Sequence, residues 1–154
     1  MVGTKYTKTM NMTYLDENNE LKNPIMGCYG IGVGRLAAAI CEAHHDAYGP
    51  IWPKAVAPWQ VHLCAVRVDD EGVREFANKL YEELLEEGVE VIFDDRSVSA
   101  GNMFSDADLL GVPLRVIVSP RNMKEQVVEV VSRDKSFSHK VDLASAKKTI
   151  KELL

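Results

Sequence analysis

The chain has 154 residues, 46% of them hydrophobic and 27% charged, an ordinary soluble composition long enough to bury a real core. No apolar run approaches the roughly 20 residues of a membrane span and no signal core follows Met1-Val2-Gly3-Thr4-Lys5, so a cytoplasmic location is expected. The net charge of -5 speaks against a nonspecific nucleic-acid binder, and Cys28, Cys41 and Cys64, widely spaced, suggest neither a disulfide framework nor a metal site.

In chain order, Lys8 to Leu15 and Leu21 to Tyr29 look extended and flank the turn formers Asp16-Glu17-Asn18-Asn19, a pattern that predicts a β-hairpin. Gly30 to His45 reads as a turn into a helix, with Leu36, Ile40 and Ala43 on one face. Pro50, Pro53 and Pro58 then predict an extended connector, pinned by Trp52 and Trp59. Val61 to Val68 predicts a strand. Glu71 to Glu87 predicts a helix with a stripe of Val73, Phe76, Ala77, Leu80 and Leu84, closed by Gly88. "VEVIFDD" is a second strand, Ser99 or Asn102 caps a short helix through Leu110, and "GVPLRVIVS" is a third strand. "EQVVEVVSRD" and "SFSHKVDL" form an antiparallel pair, and Asp142 caps a last helix carrying Leu143, Ala146, Ile150 and Leu153. Strand-helix alternation followed by an antiparallel pair implies an α/β domain with a mixed five-stranded sheet and flanking helices, preceded by a β-hairpin plus helix. The expected division is 1–47, a proline-rich linker over 48–59, and a domain over 60–154.

Charge is unevenly distributed. Acids dominate from Asp69 to Asp95 and bases from Arg115 to Lys151, which is either a pair of solvated faces or a surface that docks a polyanion on one side. The stretch "GCYGIGVGRLAAAICEAHH" holds Gly27, Gly30, Gly32 and Gly34 just ahead of a helix with Arg35 on its first turn. Bare backbone at a helix N-terminus beside an arginine suits a phosphate, and it equally suits close packing of helix on sheet. The glycines recur at every second residue and follow a hairpin, which excludes the dinucleotide fingerprint, and the Gly-Lys-Ser/Thr of a P-loop is missing.

"MGCYGIGVGRLAAAICE" resembles the third signature motif of class II aminoacyl-tRNA synthetases. With "IWPKAVAPWQV", "VGTKYT" and "VEVIFDDRSVSAGNMFSDADLLGVPLRVIV", nearly the whole chain resembles prolyl-tRNA synthetase. The resemblance implies that residues 1–47 are a remnant of the antiparallel catalytic domain and 60–154 an anticodon-binding domain. It implies an enzyme that activates proline with ATP and Mg2+ and transfers it to tRNA(Pro), expected to act as a homodimer. Arg35 would grip the γ-phosphate of a bent ATP, Gly30, Gly32 and Gly34 would keep side chains out of the nucleotide and amino-acid pockets, and Cys28 and Thr4 would border the substrate. Cys28 reads equally as a small buried hydrophobe.

The first and second motifs of the family and its editing insertion are not found in the sequence. The chain is therefore expected to be a C-terminal fragment, with Met1 not the natural start, inactive by itself. The second and third bases of a proline anticodon are guanines, whose N1–H and N2–H suit a carboxylate, whose O6 and N7 suit an arginine, and whose face suits an aromatic ring. Phe93, Asp94, Asp95, Arg96, Phe104 and Asp106 supply these groups, although acids at a strand end also cap or cover an edge and a phenylalanine is also core. Arg96, Arg121 and Lys124 would touch phosphate. The four histidines show no ligand spacing and receive no role. A freestanding module that uses the anticodon-domain fold for protein partners is the alternative.

Overall fold

The computed structural model describes residues 1–154. By Cα proximity the chain divides into two units, Met1–Leu36 and Ala37–Leu154. No helix is long and apolar enough to cross a membrane.

In the first unit, α1 (Lys5–Thr9) precedes a short antiparallel hairpin of β1 (Tyr14–Leu15) and β2 (Leu21–Lys22). The hairpin is present, but Lys8 and Thr9, expected to be strand, belong to α1. The Thr7 hydroxyl donates to Pro24 O at 2.9 Å and anchors that helix, and Asn11 at φ 52 turns the chain out of it. Asp16 closes the hairpin turn by accepting from Asn18 N and Glu20 N, both at 2.9 Å. Gly3 and Met26 form an isolated antiparallel bridge, which brings Thr4 alongside the start of the glycine stretch. Helix α2 (Val33–Ala43) begins in this unit and ends in the next. It carries no buried residue, and Leu36 of its apolar stripe is exposed.

In the second unit the connector is more structured than its prolines suggest. β3 (His45–Asp46) and β4 (Gly49–Pro50) pair as a tight hairpin, and a 3-10 turn follows over Lys54–Val56. Trp52 tethers this stretch as expected, its Nε1 donating to Leu110 O at 3.1 Å. A five-stranded sheet follows in the order β6-β5-β7-β8-β9, built from β5 (Val61–Ala65), β6 (Val91–Asp94), β7 (Leu114–Val118), β8 (Val127–Ser132) and β9 (Ser138–Asp142). The first three are parallel and the last two antiparallel, the mixed sheet that the order of elements predicts.

Central strand β5 is buried along its whole length because both faces are covered. One face packs Val61, Leu63, Val116, Val128 and Val130 against α3 (Glu71–Glu86) and α6 (Ala146–Leu153). The expected stripe of α3 is the observed one, with Val73, Ala77, Leu80 and Leu84 buried, Asp70 capping its start and Gly88 at φ 76 closing its end. The other face packs Cys64, Val66 and Ile117 against Met103 and Ala107 of α4 (Ala100–Leu110). Ser99 caps α4 by accepting from Asn102 N at 3.3 Å. Asp142 makes no side-chain cap, since a 3-10 turn over Leu143–Ser145 intervenes before α6 begins at Ala146. A short helix, α5 (Pro120–Lys124), was not predicted; Ser119 caps it by accepting from Asn122 N at 3.2 Å, with Pro120 at its first position.

Candidate nucleic-acid interface

Helix α4 is the only helix on its face of the sheet, and it covers the β5, β6 and β7 side. Over β8 and β9 the alternate residues Glu129, Val131, Ser138 and Lys140 are half-buried or exposed. A groove of about 490 Å³ runs along this uncovered part, lined among others by Phe104, Ile117, Arg121, Asn122, Glu129 and Lys140. Phe104 and Asp108 lie four residues apart on one side of α4, and Asp106, two residues from each, faces the opposite side.

On the groove side, Phe104 is half-buried and the Arg115 guanidinium sits over its ring at 5.5 Å from the centroid. Arg115 projects from β7 and pairs through Nη2 with the Asp108 carboxylate. The pair is largely withdrawn from water, with 14% and 18% of the two side chains exposed, and Arg115 Nε has no partner. An aromatic ring and a carboxylate one turn apart on α4 thus stand beside an arginine from β7, the three groups that suit guanine. Only Phe104 of these was expected.

On the opposite side of α4, Asp94 at the end of β6 is 6% exposed and accepts from the Arg96 guanidinium twice, from Nε at 2.9 Å and from Nη2 at 2.7 Å, and from the Arg96 backbone N at 3.3 Å. Arg96 Nη2 also donates to Asp106 Oδ2 at 2.8 Å. This arginine holds the Asp94 carboxyl below its ordinary range, and the two carboxylates raise Arg96. A cavity of about 330 Å³ lies beside them, walled by Ile92, Leu109 and Leu110, with buried His62 also lining it. The sequence reading thus finds three partners that the fold brings together, Asp94, Arg96 and Asp106. Asp95 is exposed next to them. The Phe93 ring is directed elsewhere: it stacks on Tyr81 at 5.1 Å between centroids and packs on the core of the α3 side. Basic Arg121 and Lys124 are exposed on α5, and Arg121 pairs with Glu125. Burial pushes the Cys64 thiol up to about 12, which leaves it a core residue.

In the first unit, Arg35 extends from the first turn of α2, exposed, and its Nε would stand 3.0 Å from a Cβ on Gly32. The space beside Gly30 and Gly34 is open, and Cys28 is exposed instead of buried. An exposed arginine at a glycine-lined helix N-terminus fits one phosphate contact of a nucleotide. No group of three or more His, Cys, Asp or Glu is placed to hold a metal ion.

Residues 56–153 match the family described as anticodon binding domain. The chain is 48% identical over 142 residues to a proline–tRNA ligase of Bacillus subtilis (strain 168), an alignment covering 92% of this chain and 25% of that protein. It is 46% identical over 149 residues to a proline–tRNA ligase of Syntrophus aciditrophicus (strain SB), covering 97% of this chain and 26% of the relative. Among solved structures it is similar to a prolyl-tRNA synthetase from Cryptosporidium parvum complexed with L-proline and AMP, at 25% identity and a TM-score of 0.69 over 98% of this chain and 32% of that one. The chain spans about a quarter of the length of the curated relatives it matches. With a matching sheet, helices and sequence over most of its length, the chain belongs to the anticodon binding domain family, and its homologues are proline–tRNA ligases.

Proposed function

We propose that this chain reads the anticodon of tRNA(Pro) for an enzyme that activates proline with ATP and transfers it to that tRNA. The observation that carries the reading is the Phe104–Arg115–Asp108 cluster beside the uncovered strands β8 and β9. A guanine stacked on Phe104 offers N1–H and N2–H to the Asp108 carboxylate and O6 and N7 to Arg115, whose Nε is without a partner. Asp94 and Asp106 serve the same RNA through Arg96: both hold its guanidinium in place, and its Nη1, unused by either, reaches phosphate. Arg121 and Lys124 supply further phosphate contacts.

The functional division follows the sequence, with residues 1–47 serving the catalytic domain, 48–59 linking, and 60–154 reading RNA. In the first part Arg35 takes a phosphate of ATP, Gly30, Gly32 and Gly34 leave room for the nucleotide, and Thr4 and Cys28 border the amino acid. The whole enzyme is cytoplasmic and homodimeric, and it uses ATP with Mg2+.

Titration of a fluorescent proline anticodon stem-loop tests the reading. Phe104→Ala should cost about 1–3 kcal/mol of binding, the worth of one base stacked on an aromatic ring. Lys124→Ala should weaken the cognate loop and a loop with its guanines replaced by similar factors, and should flatten the salt dependence. Unchanged affinity in Phe104→Ala would remove the base-stacking role and favour the freestanding module.

A further inference from the structure

Arg133, the first residue after β8, is 3% exposed and uses its guanidinium on two separate segments, the β3–β4 hairpin and the end of α4. Nη1 and Nη2 donate to the two Asp46 carboxylate oxygens, each at 2.8 Å, Nη2 donates also to Gly49 O at 3.1 Å, and Nε donates to Asp108 O at 3.0 Å. Asp46 also accepts from Tyr48 N at 2.8 Å and Gly49 N at 3.1 Å, so the β3–β4 hairpin is wrapped around the carboxylate that Arg133 grips. The Arg133 hydrogen bonds hold the Asp46 carboxyl well below the usual carboxylate range. Only the arginine is buried, since 31% of the Asp46 side chain is exposed; an ion pair with a desolvated member gains little stability over apolar packing, and its best-attested use is to fix one arrangement among several.

The hairpin is in turn tied to the end of α2. Ile51 N donates to His44 O at 2.7 Å, and His45 Nδ1 lies 2.9 Å from Glu42 O. At its other side, Gly49 at φ 150 is pressed on the backbone of α4, where a Cβ would stand 2.7 Å from Asp108 O. Asp108 therefore belongs to two assemblies: its carboxylate pairs with Arg115 beside Phe104, and its carbonyl accepts from Arg133. We propose that Arg133 is a positioning residue that couples the base-reading face to the last turn of α2, with Asp108 as the joint and the β3–β4 hairpin as the transmitting piece. This rests on the reading that Phe104, Arg115 and Asp108 take a base. A guanine that draws on the Asp108 carboxylate displaces the last turn of α4, and the Arg133 fork passes that change to Asp46 and the hairpin.

Amide hydrogen exchange of the full chain, with and without the proline anticodon stem-loop, tests the coupling. In the unmutated chain the stem-loop should slow exchange across Ile40–Ile51 by about fivefold or more. In the double variant Asp46→Leu/Arg133→Met, which replaces the ion pair by apolar side chains, the stem-loop should still bind while Ile40–Ile51 no longer responds. Arg133→Lys, which keeps the charge and loses the fork, should also lose the response and covers the case in which the double variant does not fold. No response in the unmutated chain, or an equal response in Arg133→Lys, would overturn the proposal. Should the stem-loop not bind, the anticodon reading fails by itself, and the coupling is judged without RNA. Arg115→Met, which releases Asp108, should then change exchange across Ile40–Ile51 in the unmutated background and not in Arg133→Lys; equal changes in both backgrounds would sink it.

Discussion

His62 sits on β5 at 2% exposure with neither ring nitrogen hydrogen-bonded, and Asp94 Oδ2 lies 4.0 Å away. Burial is the main cause that pushes its pKa down to about 4, with Arg115 and Arg96 adding to the effect and Asp94 and Asp106 opposing it. Above the ordinary value of 6.5 the imidazole is neutral both folded and unfolded, and the contribution to stability is complete. As the pH falls from 6.5 towards 4, the unfolded chain takes up a proton that folded His62 refuses, so stability declines through that window by about 3 kcal/mol. Denaturant melts between pH 4 and 7 should show this slope in the unmutated chain and a much flatter one in His62→Phe; equal slopes would show that other groups carry it. At this scale the sequence announces Asp94, Arg96 and Asp106, because a strand end followed by an arginine and a nearby helix is a local pattern. It does not announce Arg115 as the partner of Asp108, since a loop and the start of β7 separate the two and only the parallel crossover brings them together.

Two glycines of similar backbone differ in what surrounds them. Gly88 and Gly111 both close helices with positive φ, at 76° and 72°, but the space beside Gly88 is open whereas a Cβ on Gly111 would overlap the Pro50 carbonyl. Gly88→Ala should therefore cost about 1–2 kcal/mol, the left-handed penalty alone, and Gly111→Ala should cost more, about 3 kcal/mol. Thermal melts of the two variants give the comparison, and equal losses would show that β4 gives way easily before α4. The strands and helices of the second unit are legible because their periods are long and well punctuated, as in α3 between Asp70 and Gly88. The short pieces are not. Lys5–Thr9 contains two threonines in five residues, which favours strand locally, and the Thr7–Pro24 hydrogen bond decides for a helix. Ser119-Pro120 carries the cap and first-position signals of α5, but five residues are too few for a period to show.

For the whole molecule, the uncovered half of one sheet face, over β8 and β9 beside α4, lies within the residues that match the anticodon binding domain family, and it is the surface proposed to meet RNA. The basic half of the sequence reaches that surface through Arg115, Arg121 and Lys140, although Lys140 and Arg121 are both engaged by Glu125. With a net charge of -5, little nonspecific attraction to RNA is available, so the proposed base contacts should account for a large share of the affinity for the cognate loop. The most direct test is a titration of the unmutated chain with a proline anticodon stem-loop and with one whose two guanines are replaced, each at two salt concentrations. The guanine-bearing loop should bind more tightly by about 1–3 kcal/mol per base read, at both salts, while the affinity of both loops falls in parallel as salt rises. Equal affinity for the two loops at either salt would contradict it.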